Sequence, residues 1–286
     1  MERSARSAAT AAVTMCLLLT ARDAAYAQHD EDALAKASQN PVADMVSFPL
    51  QFNFNSGGAL QSKSQLLLNV QPVMPLPLDD NWLLVARTVV PYVNIPLPDG
   101  TRETGIADIE EQLFFTPRKS GKVVWGVGPI LSFPTATSDV VRTGQWAMGP
   151  TAVVLTTKDR WVVGMLANQL WRIGGDSFGA PVNKLLMQPF INFNIPKGWS
   201  ISTAPIITAN WSARNGDEWT VPLGIGVGKV TAIGRQPVSI GMQYYHNIER
   251  PELGAANQLR LTFTPLFPII RPPAAVSNRQ DRRRRQ

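Results

Sequence analysis

The stretch Gln258–Phe267 sets the tightest limit on what this chain can fold into. Its odd positions are Leu259, Leu261, Phe263, Pro265 and Phe267; its even positions are Gln258, Arg260, Thr262, Thr264 and Leu266. Successive side chains of a strand point to opposite faces, so the segment has one apolar face and one largely polar face. In a water-soluble barrel the apolar face turns inward. In a barrel that crosses a membrane it turns outward to lipid, and the polar face lines the lumen. A strand that ends on an aromatic, with apolar residues stepping back by twos, fits the second arrangement.

Eleven earlier runs are also strand-like, and several of them alternate cleanly. Together the twelve span roughly 44–54, 64–77, 82–94, 105–116, 122–133, 145–157, 160–172, 184–195, 199–211, 218–230, 237–248 and 258–267. Each suffices for a tilted strand to cross a bilayer, which takes ~9–11 residues, and none approaches the ~20 consecutive apolar residues of a membrane helix. Connections of nine, ten, eleven, eleven, six and nine residues alternate with connections of four, five, two, three and six. Long loops at one rim and tight turns at the other are the asymmetry of outer-membrane barrels, with the short turns in the periplasm. The expected fold is therefore all-β: a transmembrane antiparallel β-barrel of about twelve strands.

Tryptophan supports that reading. All eight lie near strand ends and on the face that parity assigns to lipid. Trp82, Trp125, Trp161 and Trp199 fall at the short-turn level, and Trp146, Trp171, Trp211 and Trp219 at the long-loop level. Indole rings favour the membrane–water interface, so these eight are the candidate interface residues. Proline runs against it. Pro49, Pro72, Pro91, Pro129, Pro150, Pro189, Pro205, Pro222 and Pro265 all fall inside the runs. A closed barrel pairs both edges of every strand, and proline lacks the N–H; bulges are the device that absorbs some of them.

Outside the barrel the chain divides simply. Arg3 and Arg6, the apolar stretch Ala8 to Ala21 and Ala25-Tyr26-Ala27 have the form of a secretory leader over 1–27, cleaved after Ala27. The one cysteine, Cys16, lies within it, which leaves the exported chain without disulfides or thiolate metal sites. Residues 28–43 are polar, with a short helix expected over Asp32 to Ser38; the barrel takes 44–268. Residues 269–286 form an Arg-rich tail, expected to be disordered. The chain carries 27 basic and 21 acidic residues, but leader and tail together hold nine basic and three acidic. The body between them is balanced, so the basic character does not argue for nucleic acid as a partner.

The inward face is rich in amides, with few charges. Its lumen-lining candidates are Arg87, Asp108, Glu110, Gln112, Asn168, Gln188, Asn192, Gln243 and Arg260. Pairing Asn94 with Gly105 sets Arg87 opposite Gln112 and diagonal to Glu110, which predicts an Arg87–Glu110 ion pair near mid-height. Glu111 falls on the lipid face, at a cost of ~2 kcal/mol or more near the midplane unless a bulge or the rim relieves it. Gly126, Gly128, Gly224, Gly226 and Gly228 alternate with apolar residues and open no helix, so they form no phosphate loop. On the inward face they either leave a bore or accommodate close packing.

Catalysis has little to build on. His29 lies in the polar leader-proximal segment. His246 sits at the outer end of the eleventh run with lipid-face parity, where a lipid hydrolase would need a serine within reach. Thr220 is on the wrong face. No metal-ligand spacing occurs and no cofactor is implied. The expected partners are outer-membrane lipids and lipopolysaccharide, a small-molecule solute, and the barrel-insertion machinery through 258–267.

Several motifs carry a family likeness: Asn40-Pro41-Val42-Ala43-Asp44, Leu68-Asn69-Val70-Gln71-Pro72-Val73, Gly105-Ile106-Ala107-Asp108-Ile109, Trp125-Gly126-Val127-Gly128-Pro129 and Phe133-Pro134-Thr135-Ala136-Thr137. Gly149-Pro150-Thr151-Ala152-Val153-Val154-Leu155, Leu166-Ala167-Asn168 and Glu218-Trp219-Thr220-Val221-Pro222-Leu223 complete them. By these residues the chain resembles a proteobacterial family of outer-membrane barrels known as transporters or phenol-degradation meta-pathway proteins, some under the misplaced name neuromedin U. The resemblance covers nearly all of the exported chain to Phe267. It implies a channel or transporter for passive uptake of small, hydrophobic or aromatic compounds, and no catalytic residues. Gln169 departs from it, where related chains often have histidine, as does the Arg-rich extension. The alternatives are a barrel filled by its own side chains, with a structural or adhesive role, and a membrane-bound lipid hydrolase.

Overall fold

The computed structural model describes residues 31–58, 63–176, 179–214 and 216–268. The leader and the Arg-rich tail lie outside them. Twelve antiparallel strands close into one barrel. In chain order they are β1 (Met45–Ser47 and Leu50–Ser56), β2 (Gln65–Val70 and Val73–Pro77), β3 (Trp82–Pro96) and β4 (Arg102–Ile106 and Ile109–Pro117). They continue with β5 (Val123–Phe133), β6 (Gln145–Lys158), β7 (Trp161–Gly175) and β8 (Asn183–Ile195). The last four are β9 (Trp199–Thr203 and Ile207–Asn210), β10 (Trp219–Ile233), β11 (Gln236–Glu249) and β12 (Asn257–Pro268). Each strand pairs with its sequence neighbours. Closure comes from β12 against β1, where Asn257 to Phe263 face Ser56 to Leu50, and Leu266 to Pro268 face Ser47 to Met45.

Four strands are interrupted, and the interruptions account for the prolines. The breaks are Phe48-Pro49 in β1, Gln71-Pro72 in β2, Ala107-Asp108 in β4 and Ala204-Pro205-Ile206 in β9. Extrapolated across each gap, the registers put Pro265 beside the β1 break and Pro91 beside the β4 break. Pro189 and Pro222 flank the β9 break from either side. The prolines thus stand where the ladder already lapses, and no N–H is missed. Their carbonyls still accept: Phe48 N donates to Pro265 O at 3.1 Å, Gln71 N to Pro49 O at 2.9 Å, and Ala107 N to Pro91 O at 2.8 Å.

Pro129 and Pro150 are a separate device. They face each other across β5 and β6. On the far side of each, pairing lapses: between Gln112 and Phe115 on β4, and between Asn168 and Trp171 on β7. The glycine preceding each proline admits the neighbouring backbone. A Cβ on Gly128 would lie 1.9 Å from Leu113 O, and one on Gly149 1.7 Å from Gln169 O. Only glycine fits either place.

The two faces follow the alternation. Along β6, Ala147, Thr151, Val153 and Leu155 are buried, whereas Trp146, Met148 and Val154 are exposed. The exposed belt includes Ile225, Met242, Leu223 and Ile191. Trp82 packs edge-on against Trp125 at 6.0 Å and Trp161 lies 4.7 Å from Phe193, all at the short-turn end. Trp199, at the same level, has Lys229 Nζ 5.2 Å from its ring. Trp211 packs edge-on against Trp219 at 5.3 Å, and Trp146 against Phe133 at 5.5 Å, at the long-loop end, where Trp171 also stands. No helix among the described residues is long and apolar enough to cross a membrane.

The interior holds the packed core. Val42, Leu83, Val85, Phe114, Val153, Leu155, Val162, Leu166 and Phe190 form one cluster, contributed by five strands and the N-terminal segment. Residues 31–38 are helical (α1), as the sequence predicts over Asp32 to Ser38. What the sequence does not predict is where this segment lies. Ala35 packs on Met45, Val230 and Leu266 inside the short-turn end of the barrel, and Val42 enters the larger cluster.

Candidate functional site: the barrel lumen

At mid-height the lumen is crossed by hydrogen-bonded side chains. Arg87 of β3 donates to Gln112 Oε1 of β4 at 3.3 Å and to Gln71 Oε1 at the β2 break. It closes no ion pair with Glu110, contrary to the expectation from sequence. Register is not the reason: Asn94 faces Thr104 and Val93 faces Gly105, one step from the expected pairing, but the extra residue at Ala107-Asp108 shifts the ladder back by one. Arg87 does face Gln112, with Glu110 opposite Val89. The nearer amides take the guanidinium, and Glu110 instead lies within electrostatic reach of both Arg87 and Lys184. Glu111 stays on the outer face despite the extra residue at Ala107-Asp108; its carboxylate accepts from Thr88 Oγ1 at 2.6 Å.

Arg260 of β12 is 2 % exposed and is satisfied wholly by neutral groups. Its guanidinium donates to Asn53 Oδ1 at 3.1 Å, Gln258 Oε1 at 3.0 Å, Gln243 Oε1 at 3.5 Å and Ala204 O at 2.8 Å. It also lies 4.8 Å from the Tyr245 ring centroid. Tyr245 Oη accepts from Ala204 N at 2.9 Å, so these two side chains satisfy the backbone freed by the β9 break. Gln243 donates onward to Ser202 Oγ at 3.0 Å.

Two cavities stack along the lumen. The one nearer the short turns, about 270 Å³, is lined by Arg87, Gln71, Gln188, Asn192, Phe190, Leu166 and the N-terminal segment from Ser38 to Ala43. The other, about 370 Å³, opens toward the long loops and is lined by Glu110, Asn168, Leu170, Lys184, Leu186, Thr208 and Thr220 among others. Along β7 and β8 their linings lie one inward step apart: Leu166, facing Gln188, borders the inner cavity, and Asn168, facing Leu186, the outer. Gln112, Asn168 and Arg260 are thus buried in the lumen wall, and Gln188 and Asn192 border the inner cavity.

The short-turn end is covered, and at the other end one long loop folds onto the wall. At the short-turn end Gln39 and Asn194 exchange two amide hydrogen bonds, at 2.9 and 3.1 Å, and Gly198 N donates to Asp32 Oδ1 at 3.0 Å. These contacts hold α1 and the residues after it across the opening. The sequence signal was slight: Leu34, Ala35 and Val42 among polar neighbours. At the long-loop end residues 134–144 fold against β4. Thr137 N donates to Ile106 O at 2.9 Å, Ser138 Oγ to Glu103 Oε1 at 3.0 Å, and Ala136 N to Asp108 Oδ1 at 3.0 Å. Thr143 Oγ1 also donates to Asp108. Asp108, read from sequence as lining the lumen, is engaged in holding this loop.

The inward glycines do not leave a bore. A Cβ on Gly126 would meet Phe114 and Val42 at 3.2 and 3.3 Å, and one on Gly228 would meet Ser200 Oγ at 3.0 Å. Their space is filled by neighbours. On the outer face His246 Nδ1 lies 2.9 Å from Asn257 Oδ1, which also accepts from Tyr244 Oη at 2.8 Å. No serine hydroxyl is hydrogen-bonded to it among the described residues. Thr220 borders the outer cavity instead. No group of three His, Cys, Asp or Glu among the described residues is placed to hold a metal.

Comparison with solved structures agrees on the fold. The chain superposes on the COG4313 outer membrane channel from Pseudomonas putida F1 with a TM-score of 0.60 and 14% identity, covering 78% of this chain and 96% of that one. The NanC porin gives 0.49 at 8% identity, over 78% and 100%. The CymD monoaromatic hydrocarbon channel gives 0.49 at 9% identity, over 84% and 92%. No protein-family model matches the chain, and no curated protein matches it at significance.

Proposed function

We propose that this chain is an outer-membrane channel for the passive uptake of small, uncharged and partly apolar molecules, hydrophobic or aromatic compounds among them. The observation that carries the reading is the pair of stacked cavities inside a closed barrel, separated along β7 and β8 by a layer of amides and leucines rather than ion pairs. Crossing that layer favours neutral solutes, because on the β7–β8 wall a charged one would leave water for amides and leucines alone. The exposed apolar belt and flanking indoles suit a bilayer, with lipids and lipopolysaccharide around the barrel and long loops outward. The 14%-identical Pseudomonas putida neighbour is an outer-membrane channel, which is consistent with this role. The leader would export the chain, β12 would engage the insertion machinery, and the Arg-rich tail would lie in the periplasm. Solute passage then requires the 31–43 segment to withdraw from the short-turn end. The reading assigns no catalysis and no cofactor.

One observation favours a second reading. The apolar cluster around Val42 and the filled glycine positions suit a barrel closed by its own side chains, with a structural role. Planar-bilayer conductance and liposome swelling with neutral solutes separate the two. Discrete current steps and solute entry are expected. A folded protein that is electrically silent and impermeable overturns the channel reading.

A further inference from the structure

Glu110 and Lys184 both line the outer cavity of about 370 Å³, and they reach it from different walls. Glu110 lies on the inner face of β4, which it shares with buried Gln112. Lys184 lies on β8 opposite buried Leu170, with β5 to β7 between its strand and that of Glu110. Among the described residues neither head group makes a hydrogen bond or an ion pair. Both meet water: Lys184 is exposed, and the carboxylate oxygens of partly buried Glu110 are accessible. The two lie within electrostatic reach of each other but too far apart to pair.

Opposite charges left open in one cavity, near but not touching, suit a guest that carries both. A cation would find Glu110 but be repelled by Lys184. An anion would find Lys184 but face three carboxylates, because Asp217 and Glu218 also line the cavity. Those two already accept from Glu252 N and Gly216 N, both at 2.8 Å, whereas Glu110 has no such contact. A molecule with an ammonium and a carboxylate engages both head groups at once, each through a charge-assisted hydrogen bond. Leu170, Leu186, Ala209 and Pro251 supply apolar wall for its body. The volume falls within the ~300–1,000 Å³ of small-molecule sites.

We propose that the outer cavity is a binding site for a zwitterionic amino acid with a compact apolar side chain, Glu110 taking its ammonium and Lys184 its carboxylate. The site goes beyond the channel reading and does not rest on it. It lies on the long-loop side of the layer of amides and leucines, and its guest need not cross that layer.

The test titrates the full exported protein in micelles with leucine, by calorimetry corrected for uptake into empty micelles. The controls are 3-methylbutylamine, which lacks the carboxylate, and 4-methylpentanoate, which lacks the ammonium. Wild type should bind leucine more tightly than either. Glu110→Gln should weaken leucine about 10- to 100-fold, the scale of one charged hydrogen bond, and leave 4-methylpentanoate no weaker. Lys184→Met should weaken leucine on the same scale and leave 3-methylbutylamine no weaker. If Glu110→Gln does not fold, Lys184→Met decides. A merely structural change would lower all three ligands together, and that result overturns the site. So does equal binding of leucine by wild type and the folded variants, or wild-type binding of the amine as tight as that of leucine. Leucine binding that needs both residues, in a protein that carries no current, supports the site and sinks the channel reading alone.

Discussion

Arg87 and Gln112 face each other directly across β3 and β4, and the guanidinium donates to the amide oxygen at 3.3 Å. This positions a positive charge between two neutral acceptors, Gln112 and Gln71, with Glu110 one diagonal step away. The local field at mid-height is therefore set by a cation held in place, not by a neutralised pair. Arg87→Gln keeps a hydrogen-bonding side chain and removes the charge, so the lumen should become more selective for cations. Reversal potential across a salt gradient, for wild type and variant, reads the change. An unchanged potential would mean that ions do not pass this layer.

The Gln39–Asn194 exchange is the clearest hold on the N-terminal segment. Two neutral hydrogen bonds are together worth about 1–3 kcal/mol, roughly a 5- to 150-fold change in an equilibrium. Gln39→Ala should therefore raise open probability in single-channel records by a factor in that range. Asn194→Ala should act similarly, and the double variant should add little, since both remove the same contact. Open probability that ignores all three would place the gate elsewhere.

The strand pattern was legible because it is local. A two-residue period in Gln258–Phe267 says which side chains share a face whatever the partner strand, and tryptophans near strand ends mark the two levels. Contacts that depend on what lies opposite were not legible. Pro189 and Pro205 look like defects singly; in register they share one interruption. The Arg87–Gln112 partnership follows from a register estimate that was one residue wrong at Asn94 and was corrected by the β4 bulge. Nothing near Val42 in the chain announces that it packs on Phe114, because that contact exists only once the barrel has closed.

Gly105 is the position at which the 134–144 loop meets the wall. A Cβ there would lie 2.7 Å from Ser138 Cβ and 3.0 Å from Thr137 Oγ1. Gly105→Ala should push the loop off β4 at a cost of about 1–3 kcal/mol, the usual scale of overpacking. Faster protease nicking within 134–144, with the folded barrel retained, is the expected result. A loop cut no faster than in wild type would show that Asp108 and Glu103 hold it without help from this contact.

Met187 and Gln188 are neighbours on β8 with opposite parity: Met187 faces Ala167 on the outer side, and Gln188 borders the inner cavity. They offer a test of which side of the barrel is wet. In a bilayer, a lysine on the outer face near mid-strand costs about 2–4 kcal/mol, falling toward the interfaces, whereas a lumen position tolerates charge far better. Met187→Lys should therefore lower the urea midpoint of the lipid-reconstituted protein, read as loss of the β-sheet circular dichroism signal, well beyond Gln188→Lys. A water-soluble barrel requires the reverse order, because the lysine at 188 would then be the buried one. Equal or inverted losses would remove the membrane from the account while leaving the twelve-stranded fold intact.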